Sequence, residues 1–170
     1  MAAESPTHLE LEIGHVLFMD VVGYSKLLTN EQREIQRQLT QIVRSTEHFR
    51  AAERAGKLIR LPVGDGMALV FFTNPEAALK CAIEISKAVG QALPPAEEKQ
   101  GQAGALALQL RMGIHSGPVS GVTDVNDRSN VAGVGINMAQ RVTTWPNKVA
   151  GAPHCTSLGR SRSNTASELK

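Results

Sequence analysis

The chain has 170 residues, 42% hydrophobic and 20% charged, with a formal net charge of +2. That is one globular domain with room for a real core, not a disordered or fibrous segment. The small charge balance, the absence of any Lys/Arg block and an aromatic content of 4% argue against nucleic acid as partner. No apolar run reaches the roughly 18 residues of a membrane span, and the polar, acidic start Met1–His8 does not have the pattern of a secretory signal. Cys81 and Cys155 lie far apart without metal-ligand spacing, which fits a reducing, cytoplasmic setting.

Residues 1–10 read as a flexible lead-in. A first strand follows over Leu11–Val22, dense enough in apolar residues for a central position in a sheet. Asp20 interrupts it. A carboxylate among such neighbours is costly unless compensated, most simply by a cation. With Gly23 and a helix start directly behind it, the stretch reads as a metal or phosphate site; the alternative is a strand-end Asp that caps the next helix. Ile35, Leu39, Ile42, Val43, Thr46 and Phe49 then fall on one face of a single helix that Gly56 ends.

Strands at Leu58–Leu61 and Met67–Phe72 flank a tight reversal, Pro62-Val63-Gly64-Asp65-Gly66, with Asp65 at its tip. Asn74-Pro75 starts a second helix, whose apolar face is expected to be Ala78, Leu79, Ala82, Ile83, Ser86, Val89 and Leu93. Residues 94–104 lack periodicity and read as a surface loop. A fourth strand alternates cleanly from Leu106 to His115, with Leu108, Leu110, Met112 and Ile114 on one side and Gln109, Arg111 and Gly113 on the other. Gly117-Pro118 is expected to turn it into a hairpin with Val119–Val122. Asp124–Ser129 reads as a polar loop, and a third helix starts near Gly133, with Asn137 and Arg141 one turn apart.

The order βαββαβ, then a hairpin and a third helix, predicts an α+β, ferredoxin-like sheet with helices on one face. In such a sheet the first strand lies beside the second-to-third hairpin, so Asp20 and Asp65 would be neighbours. Two adjacent carboxylates repel unless they share cations, and paired Mg²⁺ or Mn²⁺ clamping a phosphoryl group is the standard arrangement. Gly23, Tyr24 and Ser25 add backbone N–H groups suited to phosphates, and Arg111 and Arg141 suit phosphate oxygens. Taken singly, Asp65 is an ordinary turn residue, Arg111 and Arg141 are solvated charges, and His115 is a strand-end packing residue.

Four segments change that reading when taken together. Phe18-Met19-Asp20-Val21-Val22-Gly23-Tyr24-Ser25, Gly64-Asp65-Gly66-Met67-Ala68-Leu69-Val70-Phe71, Arg111-Met112-Gly113-Ile114-His115-Ser116-Gly117-Pro118-Val119 and Gly133-Val134-Gly135-Ile136-Asn137-Met138-Ala139-Gln140-Arg141 resemble, in order and spacing, the signature blocks of class III adenylate/guanylate cyclase catalytic domains. The resemblance spans Val16 to Val142. It implies that Asp20 and Asp65 hold two Mg²⁺ or Mn²⁺ ions, that Val21 lends a carbonyl, and that the Gly23–Ser25 turn and Arg111 hold phosphates. It further implies that Asn137 orients the ribose and that Arg141 stabilises charge on the phosphoryl group. The substrate would be ATP or GTP, and the active form a head-to-tail homodimer in which one chain brings the metals and the other the Asn and Arg.

Two departures from the family stand out. The purine-reading positions, four residues before the second metal Asp and seven before the catalytic Asn, hold Leu61 and Asn130 in place of Lys and Asp. Arg60 is one residue off, on the opposite face of its strand. From Thr143 onward neither strand nor helix periodicity continues, and residues 143–170 read as an irregular tail in place of the family's closing strand, as an out-of-frame or truncated end would give. These departures sustain a rival reading: a cyclase-like module that binds nucleotide without turnover. A different two-metal phosphoryl-transfer enzyme on the same sheet is disfavoured by the Asn137/Arg141 block, for which that chemistry has no use.

Overall fold

The fold is built on β1, Leu11–Val21, which hydrogen-bonds antiparallel to a neighbour on each side. It was obtained as a computed structural model that describes residues 11–92, 108–123, 129–144 and 154–157. A short 3₁₀ turn, Tyr24–Lys26, leads into α1, Thr29–Ser45, and α2, Glu47–Arg54; β2, Leu58–Val63, and β3, Gly66–Phe71, form the hairpin. Then come α3, Pro75–Ala92, β4, Leu110–Thr123, β5, Ser129–Ala132, α4, Val134–Thr143, and β6, His154–Ser157. The sheet runs β2-β3-β1-β4-β5, with β6 parallel on β4. Through β4 this is the strand arrangement of the ferredoxin-like expectation, with β1 inside and beside β3.

Alternation along β1 sends its residues to two cores. Leu17, Met19 and Val21 pack with Ile35, Leu39, Val43, Phe49, Ala78, Cys81, Ala82 and Ile85 of α1–α3, together with Leu110 and Met112. Val16 and Phe18 point the other way and pack with Leu61, Ala68, Val70, Val119, Val131 and Ala139. So α1–α3 share one face, whereas α4 covers the other. Asp20, in step with Val16 and Phe18, emerges on the α4 side.

Several local expectations are corrected. The helix expected to run unbroken to Gly56 divides at Thr46, whose backbone is extended (φ −69°, ψ 145°) and whose hydroxyl donates to the Val43 carbonyl at 2.8 Å. A side chain that satisfies the preceding turn removes the need for the next helical bond. The α3 face is rotated from the expected one: Ala78, Cys81, Ala82 and Ile85 are buried, while Leu79 and Ile83 are 40% and 42% exposed. Small residues let α3 lie close to the sheet, and Cys81 behaves as one of them. Leu93, also assigned to that face, lies outside the described residues.

Gly117-Pro118 does not turn the chain. β4 runs straight through it, and its hairpin partner is β5, from the stretch read as a loop. Ile114 is the last partner of β6 and Ser120 the first partner of β5, so between them, among the described residues, β4 has only β1 beside it. A proline is tolerated in such a one-sided stretch. The absence of a strand after Thr143 is likewise corrected by β6; the rest of the expected irregular tail beyond Thr144 lies outside the described residues.

Two outcomes test this packing. A Cβ on Gly66 would stand 2.0 Å from the Met19 carbonyl oxygen, a backbone atom that cannot move aside. Gly66→Ala is expected to lower the urea midpoint, by about 2–4 kcal/mol in stability, with little change in slope. Burial pushes the Cys81 thiol up to about 11, so little of it is thiolate at neutral pH. Peptide-resolved mass spectrometry should find Cys81 protected from iodoacetamide in the native protein and modified once denaturant is added.

Candidate active site

The register of β1 assembles the site. Asp20 stands opposite Gly66 of β3 on one side and opposite Arg111 of β4 on the other. Asp65 immediately precedes Gly66, in the two-residue turn that closes the β2–β3 hairpin. Gly64 takes a left-handed φ of 44° there, as tight hairpin turns demand. The Val21 N–H donates to the Asp65 carbonyl at 3.2 Å, which ties the turn to the end of β1. Asp20 and Asp65 thus become neighbours across adjacent strands, and their side chains meet.

Asp20 is 8% exposed, and Asp65 is exposed. Burial first, and then the Asp65 carboxyl, push the Asp20 acid above its ordinary range; the Arg111 guanidinium pulls against both. Arg111 donates through Nη2 to Asp20 Oδ2, a cross-strand ion pair. Its Nε is buried and has no partner among the described residues. Asp20, Asp65 and Arg111 line a cleft of about 450 Å³, floored by Phe18 and the hairpin turn and walled by Gln140 and Thr143 of α4 and by Thr144 at its end. Nothing in the sequence reading singled out those three; the signal available was that Gln140 and Thr144 stand one helical turn apart.

Among the described residues no third His, Cys, Asp or Glu joins Asp20 and Asp65. The donor set is all oxygen, which suits a hard cation such as Mg²⁺ or Mn²⁺. Such an ion keeps part of its shell for water, carbonyls or phosphate, so two carboxylates on one cleft wall fit it.

The other residues singled out by sequence fall in three places. Gly23, with φ 75°, opens the 3₁₀ turn directly behind β1, and Tyr24 and Ser25 lie within that turn. Leu61 and Asn130 come together on a second cleft of about 550 Å³, beneath Gln36, Thr40 and Arg44 of α1. Asn137 and Arg141 are exposed on α4, and neither lines the cleft that holds Asp20. α4 begins where Gly133 (φ 147°) and Gly135 cross β4 at Pro118 and Gly117, with backbone close enough that a Cβ on either would meet it at 3.0 Å or less. That close approach fixes where Asn137 and Arg141 emerge.

A family model described as the adenylate and guanylate cyclase catalytic domain matches residues 10–160. The chain belongs to that family. The cyclase domain also superposes on solved relatives. An adenylate/guanylate cyclase/hydrolase from Silicibacter pomeroyi is 29% identical, with 80% of this chain and 72% of that one aligned at a TM-score of 0.53. The guanylate cyclase domain of RhGC from Catenaria anguillulae, in complex with GTP, is 20% identical over 87% and 79% of the two chains, at a TM-score of 0.59. A bacterial light-regulated adenylyl cyclase is 18% identical over 79% and 70%, at 0.60. No curated protein matches the chain. The matched segment extends past α4 and takes in β6, beyond the boundary at residue 142 set from the motifs. Among the described residues no helix is long and apolar enough to cross a membrane.

Proposed function

We propose that this cyclase domain converts ATP or GTP into a 3′,5′-cyclic nucleotide and pyrophosphate, at sites shared between two copies of the chain, for intracellular signalling in the cytoplasm. The observation that carries this reading is the division of the site. The acidic pair sits in one cleft, while Asn137 and Arg141 face outward from α4. A second copy is the natural source of what each half lacks.

In this reading Asp20 and Asp65 hold two Mg²⁺ or Mn²⁺ ions, with the Val21 carbonyl as a further ligand. Such ions, when bound, polarise phosphoryl oxygens and favour ionisation of a ribose hydroxyl. The chain's own groups do the rest. N–H groups of the Gly23–Ser25 turn and the Arg111 guanidinium hold phosphate oxygens. Asn137 of the partner orients the ribose so that its 3′-oxygen faces the α-phosphorus. Arg141 of the partner meets the charge that grows on the phosphoryl oxygens. The new bond joins the 3′-oxygen to the α-phosphorus, the bond to pyrophosphate breaks and pyrophosphate leaves, and the 3′-hydroxyl proton passes to solvent water. Base selection falls to the cleft of Leu61 and Asn130. The Catenaria domain, solved with GTP, supports a purine triphosphate as ligand.

One observation favours the rival, a nucleotide-binding module without turnover. Leu61 is 8% exposed and packed among Val16, Phe18, Ala68 and Val70, where it offers a base no hydrogen bond. Assays of cyclic AMP and cyclic GMP formation with Mn²⁺ decide between them. Product that Asp20→Asn abolishes supports the cyclase; nucleotide binding without metal-dependent product supports the module.

A further inference from the structure

We propose that Arg111 is a built-in counter-ion of Asp20, which a divalent cation must displace before the site can load. The inference rests on the two-carboxylate reading of the cleft and goes beyond it, because it gives Arg111 a role in the empty protein as well as toward phosphate.

Asp20 is nearly sealed from water, and its side chain is only 11% exposed. A carboxylate buried beside a second one, Asp65, is costly without a cation next to it. Arg111, directly opposite on β4, supplies it through one nitrogen. The grip is incomplete. The guanidinium could engage a carboxylate with two parallel bonds, yet among the described residues Nη2 alone is engaged, and the buried Nε has nothing there to donate to. The side chain as a whole is 43% exposed, so its charged end has a way out to solvent. A monodentate pair with an orphaned donor and an open exit is built to be released. A divalent ion on the same carboxylate would repel the guanidinium, and the freed arginine would stand at the cleft mouth, where anionic phosphates arrive. Metal alone therefore competes with Arg111, and the competition lowers its affinity.

Mn²⁺ alone, titrated into the 170-residue chain and followed by the electron paramagnetic resonance signal of free Mn²⁺, tests this without any assay of turnover. Arg111→Gln, which removes the competing charge, is expected to bind Mn²⁺ about tenfold more tightly than wild type, the usual scale of a coupling between two sites. Arg111→Lys keeps a charge but holds it as a more easily released point charge, so a tightening of about threefold is expected. Unchanged or weaker Mn²⁺ binding in Arg111→Gln overturns the proposal; if that variant does not fold, unchanged or weaker binding in Arg111→Lys does so. Asp20→Asn separates the two levels of the account. If neither wild type nor the arginine variants bind Mn²⁺ in a manner that Asp20→Asn removes, the metal reading itself falls and the counter-ion role with it.

Discussion

Asp20→Asn is expected to reduce metal-dependent cyclic nucleotide formation on the order of 10³-fold, because a lost metal ligand forfeits several kcal/mol of charge stabilisation. The fold should survive. The amide has the shape of the carboxylate, and two opposed effects cancel: the attraction of Arg111 is lost, and so is the repulsion of Asp65. Stability should therefore stay within about 1 kcal/mol of wild type in urea unfolding. An Asp20 that only capped a helix or braced Arg111 would behave differently. Its replacement would lower stability and leave the chemistry largely intact, so activity and unfolding measured on the same preparation separate the two roles.

Asn137→Ala and Arg141→Ala are expected to lower turnover by about 10²–10³-fold each, the usual scale for donors aimed at charge that develops in a transition state. Both residues are exposed on α4 and form no side-chain hydrogen bond to another described residue. Neither substitution should shift the unfolding midpoint, since exposed side chains without partners stay within about 0.5 kcal/mol. A large kinetic effect with no cost in stability marks residues kept for a ligand or a partner. Surface charges with no such role would show neither effect.

How much of this could be read in the residues varies from place to place. The apolar run ending at Asp20 and the Gly64-Asp65-Gly66 reversal mark a strand end and a hairpin tip by local rules, and the ferredoxin-like strand order, which sets the first strand beside that hairpin, brings the two carboxylates together. Arg111 was visible as an outward strand residue, but its pairing with Asp20 depends on the β1–β4 register, which no local pattern specifies. The same limit explains β5. Ser129–Ala132 has too little periodicity to declare itself and becomes a strand because β4 continues past Pro118 and offers it an edge. Thr46 shows how one hydroxyl can break a helix whose apolar face runs on without interruption from Ile35 to Phe49. On α3 the larger residues Leu79 and Ile83 misdirected the choice of buried face, because packing rewarded closeness to the sheet over side-chain size. Leu61 and Asn130 were located as departures from the family, and their meeting in one cleft came only with the folded chain.

The division of the site between two chains is the claim on which the enzymology depends, and mixing defective chains tests it most directly. Asp20→Asn and Asn137→Ala proteins, each inactive alone, are unfolded together, refolded at equal concentration and assayed with Mn²⁺. If the acidic pair and α4 act from different copies, each mixed dimer regains one intact site, and activity should recover to about a quarter of wild type. A mixture as inactive as its components would contradict the shared site.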